Sequence, residues 1–357
     1  MKVLLVGLGG IGQRHARNLR TLLGANVDLI AYRSRGLPGV VTPQLGLDTT
    51  RDVEREYNIR RFDTLESALA DAPEIAFICN PSSLHIDIAL QCAEAGCDLF
   101  IEKPLSNNLK NIDRLIDLVA VHKRVAMVGF QLRFHPCVRR LREILQEGSI
   151  GRPLAARAMI GEFMPYWHRY EDYRKMYAAR SDLGGGVILS QIHEFDYLNL
   201  LFGTPTRVFA LGGHLSSLEI DVEDTASIML ECQADGRILP VHVQLDYLQY
   251  PPSRNCEVVG DAGRVSIDLI ANETKLYAGR ETEGKREKVE NFERNQLFLD
   301  ELTHFLNCVA TRQQPIVTLQ EGATSLRIAL AARESLATGQ LVPVESIGGK
   351  FGAIAAN

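Results

Sequence analysis

Residues 3–12 read Val3-Leu4-Leu5-Val6-Gly7-Leu8-Gly9-Gly10-Ile11-Gly12, an apolar run followed directly by G-x-G-x-x-G. A short continuous apolar run is typical of a parallel strand buried on both faces. Apolar residues then recur at helical spacing until Gly24, which can end a helix. A glycine motif between a strand and a helix predicts a dinucleotide-binding turn. A glycine-rich turn without a ligand is the alternative.

Each glycine of this motif has a physical task. Gly7 permits the tight turn, Gly9 lets the backbone approach a diphosphate, and Gly12 permits close packing of helix on strand. The helix N-terminus then faces the phosphates with unpaired N–H groups. We predict that the cofactor is bound here by Gly7, Gly9, Gly10, Ile11 and Gly12.

The end of the second predicted strand, residues 27–32, bears on cofactor choice. A site specific for NAD normally carries Asp or Glu there to bind the ribose 2′-hydroxyl. This chain has Arg33, Ser34 and Arg35 instead. Guanidinium groups bind phosphate through forked, charge-assisted hydrogen bonds. The sequence therefore favours NADP(H) over NAD(H), and a solvated basic loop is the alternative.

Strands and helices alternate as far as about residue 125. Strands are predicted at 74–79, 99–101 and 125–128, and helices at 85–95 and 111–121. This alternation predicts a doubly wound parallel sheet, whose ligands lie at the carboxyl ends of the strands. From those ends we predict further cofactor contacts for Asn80, Pro81, Ser82, His85, Glu102, Lys103 and Arg133.

The second part of the chain is predicted to be rich in strands. Turn signals separate predicted strands at 207–210, 225–231, 238–245, 255–260, 264–267 and 274–277. A charged loop is expected at 279–290, and amphipathic helices at 296–310 and 319–336. The expected organisation is an α/β chain with a nucleotide-binding domain at 1–125, a substrate-binding and oligomerisation domain at 126–345, and a loosely held tail at 346–357.

Composition narrows the class of protein. The 357 residues carry a net charge of −5, which argues against a nucleic-acid binder. No apolar run approaches the roughly 18 residues that a membrane span needs. The seven cysteines include no C-x-x-C pair, so we expect buried free thiols and no metal site. With no signal peptide in view, a cytoplasmic location is expected.

Two residues are candidates for proton transfer. Oxidation of an alcohol by hydride transfer needs a base for the hydroxyl proton, and the reverse reaction needs an acid. Lys103 follows a strand at the ligand-facing edge, and His193 and Asp196 share a face of an apolar helix that the triple glycine 184–186 opens. The alternatives are a surface lysine paired with Glu102 and a core histidine satisfied by a carboxylate.

Aromatic residues concentrate before that helix. Residues 163–177 hold the only tryptophan, Trp167, together with four tyrosines, a histidine and a phenylalanine. Mixed aromatic and polar side chains suit the stacking and hydroxyl recognition of a sugar, although loop packing explains them equally well. The predicted substrate contacts are Lys103, Arg133, Trp167, Tyr173, Ser190, His193 and Asp196.

Taken together, several motifs resemble the Gfo/Idh/MocA oxidoreductases, which include glucose–fructose oxidoreductase and inositol dehydrogenase. They are the glycine motif, Asn80-Pro81, Glu102-Lys103-Pro104, residues 131–136 (Q-L-R-F-H-P), and G-G-G followed by His193 and Asp196. The resemblance implies a Rossmann domain followed by a C-terminal α/β domain with a large, mainly antiparallel open sheet. It also implies that Lys103 acts near the nicotinamide and the substrate hydroxyl, that His193 donates or accepts the proton, and that the Lys103–Pro104 bond is cis.

One departure from the family stands out. Many relatives carry Asp three or four residues before this histidine, where this chain has Ser190 and Leu189. Asp196 or a substrate group is then left to orient His193.

The expected activity is hydride transfer between nicotinamide C4 and a secondary alcohol or ketone of a sugar, inositol or nucleotide sugar. Two other functions stay open: a non-catalytic sensor of NADP(H) or a sugar, and a reductase of a non-sugar carbonyl or imine. An open sheet leaves one face uncovered, so a homodimer or homotetramer through the C-terminal sheet is expected.

Overall fold

The computed structural model describes residues 1–33, 37–279 and 281–348. Ser34, Arg35 and most of the predicted tail, 349–357, lie outside the described residues. The helices are α1 Gly10–Leu23, α2 Val53–Glu56, α3 Leu65–Ala70, α4 His85–Glu94, α5 Ile112–Val121, α6 Pro136–Gln146, α7 Val187–Ser190, α8 His193–Phe202, α9 Arg294–Thr311 and α10 Leu319–Thr338.

The strands fall into one parallel sheet, one mixed sheet and a small hairpin. They are β1 Lys2–Val6, β2 Asp28–Tyr32, β3 Val40–Val41, β4 Leu47–Asp48, β5 Ile59–Phe62, β6 Ile75–Ile78, β7 Asp98–Glu102, β8 Ala126–Gly129, β9 Pro153–Gly161, β10 Arg207–Gly213, β11 Thr225–Ala234, β12 Arg237–Asp246, β13 Ser253–Gly260, β14 Gly263–Asp268, β15 Glu273–Ala278, β16 Lys285–Lys288 and β17 Val342–Pro343.

The first sheet is parallel throughout, in the order β5-β2-β1-β6-β7-β8. The strand order reverses between β1 and β6, which is the switch point where such sheets bind ligands. Residues 3–6 of β1 are at most 2% exposed, as the continuous apolar run predicts. The predicted Rossmann sheet is therefore confirmed, and it includes β8, which lies after residue 125.

The second sheet has nine strands in the order β16-β15-β14-β13-β9-β12-β11-β10-β17. Only β9 and β12 pair in parallel among its neighbours, so the predicted large and mainly antiparallel sheet is confirmed. Along β10–β12, one face is buried under α7, α8 and α10, while side chains of the other face stay partly or fully exposed.

Three local expectations differ from the structure. The central strand β9 was not predicted, although Gly151 and Pro153 mark a turn at its start and Gly161 ends it. The expected charged loop at 279–290 contains β16, which pairs with β15 through backbone hydrogen bonds despite its charged side chains. The helix expected after the triple glycine is two helices, α7 and α8, separated by Gln191 and Ile192.

The two sheets share a buried ion-pair network around Arg133, on the turn after β8. Its guanidinium donates to both carboxylate oxygens of Asp196 on α8, at 2.9 and 2.8 Å. The remaining donor, Nη1, contacts Glu321 at the start of α10 and the Ile316 carbonyl, at 2.7 and 2.9 Å. Arg133 and Asp196 are each at most 5% exposed, so this network fixes α8 and α10 against the edge of the first sheet.

All seven cysteines are buried free thiols, as expected. Among the described residues, no helix is both long and apolar enough to cross a membrane. The same residues hold no group of three or more His, Cys, Asp and Glu side chains suited to a metal ion.

Candidate active site

The glycine turn is held by two close backbone approaches. Gly7 has φ +94°, and a Cβ there would lie 3.1 Å from the backbone of Cys79 at the end of β6. A Cβ on Gly12 would lie 2.1 Å from the Gly7 carbonyl oxygen. A Cβ on Gly9, in contrast, would meet no atom within 4 Å. Gly7 and Gly12 therefore close the turn, and Gly9 leaves room in front of it.

The start of α1 fits an anionic diphosphate. Gly9 caps the helix without any side-chain hydrogen bond, and the first turn holds no acidic residue. Its first N–H groups are therefore free to bind an anion, favoured by the positive end of the helix dipole. The open space at Gly9 is on the same turn, so the residues present fit a dinucleotide.

Arg33, at the end of β2, is described and is already paired. Its Nη2 lies 2.6 Å from Glu54 Oε1 on α2. Both side chains border a cavity of about 310 Å³, which Thr49, Thr50 and Asp52 also line. A 2′-phosphate at this place would have to compete with Glu54 for the guanidinium.

The segment after β6 connects the two halves of the chain. The side-chain amide of Asn80 is buried and has no hydrogen-bond partner among the described residues. Ser82 Oγ lies 3.3 Å from the carbonyls of Leu183 and Gly184, next to the triple glycine. Both ring nitrogens of His85 contact backbone carbonyls: Nδ1 lies 2.9 Å from the Pro104 oxygen, and Nε2 lies 2.8 Å from the Asn80 oxygen. Asn80 therefore keeps a free amide at the ligand-facing edge, and His85 fixes the loops beside it.

Lys103 lies directly after β7 and reaches across to the second half. Its Nζ donates to the Ser190 carbonyl at 2.8 Å, at the end of α7. The Lys103–Pro104 peptide is cis. The expected alternative, an ion pair between Lys103 and Glu102, does not form, because Glu102 Oε1 lies 2.6 Å from His15 Nε2 instead. Lys103 therefore has two further N–H groups for a ligand.

His193 begins α8, three residues after the carbonyl that Lys103 binds. It is 4% exposed, and its Nδ1 has no hydrogen-bond partner among the described residues. The Phe130 ring meets it edge-on, with ring centroids 5.6 Å apart. Burial holds the pKa of His193 well below its ordinary value, and the nearby charges of Lys103, Arg254 and Arg294 lower it further. The imidazole is accordingly neutral, and its Nδ1 is available for a hydrogen bond with a ligand.

Asp196 is not the partner of His193. Arg133 binds both of its oxygens, and Ser325 Oγ lies 3.3 Å from Oδ1. The donors of Arg133 are in turn used by Asp196, Glu321 and a backbone carbonyl. The shared helix face suggests a proton relay between His193 and Asp196. In the structure, however, buried Arg133 binds the Asp196 carboxylate. Arg133 and Asp196 therefore have protein partners for these polar groups, and their predicted ligand contacts stay predictions.

The aromatic segment lies over the site, with several polar atoms unused. Trp167 packs edge-on against Tyr247 at 5.0 Å, and its Nε1 is buried without a partner among the described residues. Tyr173 Oη instead accepts a hydrogen bond from the Glu219 amide at 3.2 Å. Tyr170, which the sequence marked only as one of the cluster, also has a buried and unpartnered hydroxyl.

Glu194 and Arg254 are site-supporting residues that the sequence did not reveal. Glu194 is fully buried beside His193, and Arg254 on β13 donates to both of its oxygens at 2.8 Å. The two residues are 60 positions apart, and no local pattern connects them. Their pair fixes the start of α8 on the second sheet.

Comparison with known proteins gives a consistent result. Residues 1–130 match the oxidoreductase family GFO/IDH/MocA with its NAD-binding Rossmann fold, and residues 138–266 match the C-terminal domain of that family. The chain is 27% identical to myo-inositol 2-dehydrogenase of Thermotoga maritima, over 97% of this chain and 99% of the other. It is 24% identical to the NAD(+)-dependent scyllo-inositol 2-dehydrogenase of Bacillus subtilis, over 97% and 96%.

The fold also matches solved structures. The WlbA dehydrogenase from Bordetella pertussis, solved in complex with NADH and UDP-GlcNAcA, superposes with a TM-score of 0.78. That match covers 96% of this chain and 98% of the other, at 20% identity. At this identity the likeness establishes the fold alone.

The low pKa of His193 predicts a pH-dependent stability. Below pH 6.5 this residue binds a proton in the unfolded chain but not in the folded chain. The stability of the folded state therefore falls as the pH falls. The penalty is at most about 1.4 kcal/mol per pH unit below 6.5. We therefore expect the free energy of unfolding, measured in urea, to fall between pH 7.5 and pH 5.5 by about 1 kcal/mol less in His193→Gln than in the wild type. The exposed His122→Gln is the control, and an unchanged pH dependence in His193→Gln would contradict the assignment.

Proposed function

We propose, from the premise that this chain belongs to the Gfo/Idh/MocA oxidoreductase family, that it is a nicotinamide-dependent dehydrogenase of a cyclic polyol or sugar. Its substrate would be a secondary alcohol, or the matching ketone, of a sugar, inositol or nucleotide sugar. The observation that carries the proposal is the hydrogen bond from Lys103 to the Ser190 carbonyl, three residues before His193, because it brings the lysine next to the start of α8. The names of the relatives, two inositol dehydrogenases, support the substrate class.

The cofactor would be held by the glycine turn and by the free amide of Asn80. A bound nicotinamide supplies the acceptor, or in the other direction the donor, of a hydride. The loss of that hydride from an alcohol carbon leaves one proton on the hydroxyl oxygen, and the protein must take it up.

Lys103 and His193 would share this task. Lys103 keeps one N–H on the Ser190 carbonyl, which fixes its direction, and can donate the others to the substrate oxygen. Burial keeps His193 neutral, which leaves a ring nitrogen available for the hydroxyl proton, while its low pKa makes it a weak base in oxidation. In reduction the protonated imidazole is a correspondingly strong acid and returns the proton to the new hydroxyl.

Cofactor choice would rest on Arg33, Ser34 and Arg35, with NADP(H) preferred. Arg33 is the described member of this set, and Glu54 competes for it at 2.6 Å. The preference then depends on whether a 2′-phosphate displaces that carboxylate. Two negative charges of a phosphate attract a guanidinium more strongly than one carboxylate does, which favours the displacement.

We also propose that two copies of the chain associate through the outer face of the second sheet. Apolar side chains on that face include Leu211, Met229 and Ile238, which are 61%, 44% and 66% exposed. A broad sheet face with exposed apolar groups gains free energy when a second copy covers it. The location expected for such an enzyme is the cytoplasm.

Removal of either proton-handling group should lower turnover without loss of the cofactor. We expect Lys103→Ala and His193→Ala each to reduce kcat at least ~100-fold, with cofactor Kd within about twofold of the wild type. Steady-state assays on a panel of inositols and sugars, with fluorescence titration of the cofactor, measure both. Lys110→Ala, an exposed lysine, is the control. Full activity in both variants would refute the roles, and cofactor binding without any turnover in the wild type would indicate a sensor.

The Arg33–Glu54 pair makes cofactor choice testable. Arg33→Ala should weaken NADP(H) binding by roughly tenfold or more and leave NAD(H) within about twofold, because one charge-assisted contact is lost. Glu54→Gln should have the opposite effect on NADP(H), since it frees the guanidinium. Titration of both cofactors measures this, with Glu66→Gln as the control. Tighter binding of NAD(H) by the wild type would show that the NADP(H) preference is wrong.

Association through the sheet face predicts a concentration-dependent assembly. Sedimentation velocity should show a dimer or tetramer of the wild type at micromolar concentration. Met229→Glu should shift it towards monomer, because it places a charge within the apolar contact. Leu22→Glu, on α1 in the first domain, should not. A monomeric wild type would contradict the proposal.

A further inference from the structure

Tyr170 lies on the segment that leaves β9 and crosses back to the glycine turn. A Cβ on Gly10 would lie 2.7 Å from Tyr170 Oη and 4.0 Å from its Cζ, and would meet nothing else within 4 Å. Gly10 occupies a variable position of the G-x-G-x-x-G motif, where neither the turn, the approach to the diphosphate nor the helix–strand packing requires a glycine. The contact with Tyr170 therefore explains why this position has no side chain.

The hydroxyl of Tyr170 has no partner in the described part of the chain. Its oxygen is buried and makes no hydrogen bond there. The ring is nevertheless held in place, because His168 stacks on it at 5.3 Å and 14°, and His168 Nδ1 lies 3.0 Å from Glu171 Oε1. A fixed, buried donor without an acceptor is costly unless a ligand supplies the acceptor.

A cation without a counterion lies beside it. Arg14, one turn into α1, has its guanidinium 4.4 Å above the Phe298 ring. No carboxylate of the described residues lies within ion-pair distance of it. Burial lowers the pKa of Arg14 to about 10, and the charges of Arg294 and Arg17 add to this effect, while Glu102 and Tyr170 offset a smaller part of it. Excess positive charge next to an unused hydroxyl calls for an anion.

We propose that Tyr170 donates a hydrogen bond to the diphosphate of the bound dinucleotide, with Arg14 supplying the adjacent positive charge. The inference rests on the proposed function. Tyr170 Oη lies at Gly10, and the open space lies at the neighbouring Gly9, so a diphosphate bound there would meet the phenol and the free N–H groups of α1 together. The substrate-binding half of the chain thus contributes a cofactor-binding residue.

This arrangement makes cofactor release depend on the aromatic segment. Tyr170 covers the turn, and Trp167, three residues earlier, is a predicted substrate contact. A cofactor that leaves must break the contact with Tyr170. A substrate that orders the segment would then raise the affinity for the cofactor, and by reciprocity the cofactor would raise the affinity for the substrate by the same factor.

The test is Tyr170→Phe, which removes the hydroxyl and keeps the ring. We expect roughly tenfold weaker binding of NADH, and the same loss for ADP-ribose, which has the diphosphate but no nicotinamide. Isothermal titration and stopped-flow dissociation measure both ligands. Tyr166→Phe is the matched control, because that tyrosine is on the same segment but exposed and packed on Phe163 and Tyr250.

A double-mutant cycle with Gly10 separates contact from general damage. Gly10→Ala should weaken binding in the wild type, because its Cβ displaces the hydroxyl. It should cost clearly less in the Tyr170→Phe background, where the nearest ring atom is at an ordinary 4.0 Å. Additive effects would overturn the inference.

Two further outcomes would also overturn it: unchanged binding in Tyr170→Phe, or a loss for NADH that ADP-ribose does not share. A wild-type chain that binds no dinucleotide at all is a different result, since it refutes the proposed function itself.

Discussion

The close approach of three backbone segments at the glycine turn is the constraint on which the rest of the site depends. Gly12 packs on the Gly7 carbonyl, and Gly7 packs on Cys79, so β1, α1 and β6 meet without any intervening side chain. This places the open N-terminus of α1 next to the ends of β6 and β7. Asn80 and Lys103 follow those ends directly. The glycines therefore set the distance between α1 and β6, the pairing of β6 with β7 places Lys103, and the hydrogen bond to Ser190 fixes the direction of its side chain.

The parts of the fold that depend on local pattern could be predicted from the sequence. Continuous apolar runs predict the main parallel strands. Turn signals predict most strands of the second sheet, with ends within three residues of those in the structure. Lys103 and His193 could be predicted as candidate residues because Lys103 directly follows a buried strand and His193 lies on an apolar helix that follows three glycines. Local pattern is informative here because each of these features is decided within about ten residues.

What the sequence could not give are contacts between distant segments. Asp196 shares a helix face with His193, yet Arg133, 63 positions away, takes its carboxylate. Glu54 intercepts Arg33 in the same way. In both places the sequence shows only the neighbours of a charged side chain along the chain. Its ion-pair partner is instead the opposite charge that the fold brings nearest to it. The sequence marks Tyr170 only as a member of the aromatic cluster, because only the fold brings it to Gly10.

The aromatic core of the first sheet also bears on how the protein is made. Phe77 and Phe100, on β6 and β7, pack against Phe305 of α9 with centroids 5.8 and 5.4 Å apart, and His15 faces Phe298 of the same helix. A ribosome releases residues 1–129 long before it reaches 294–311. During synthesis, the nucleotide-binding sheet must therefore wait with part of its core exposed until α9 emerges. Helix α9 thus completes the core of a sheet whose first strand lies about 290 residues earlier in the chain.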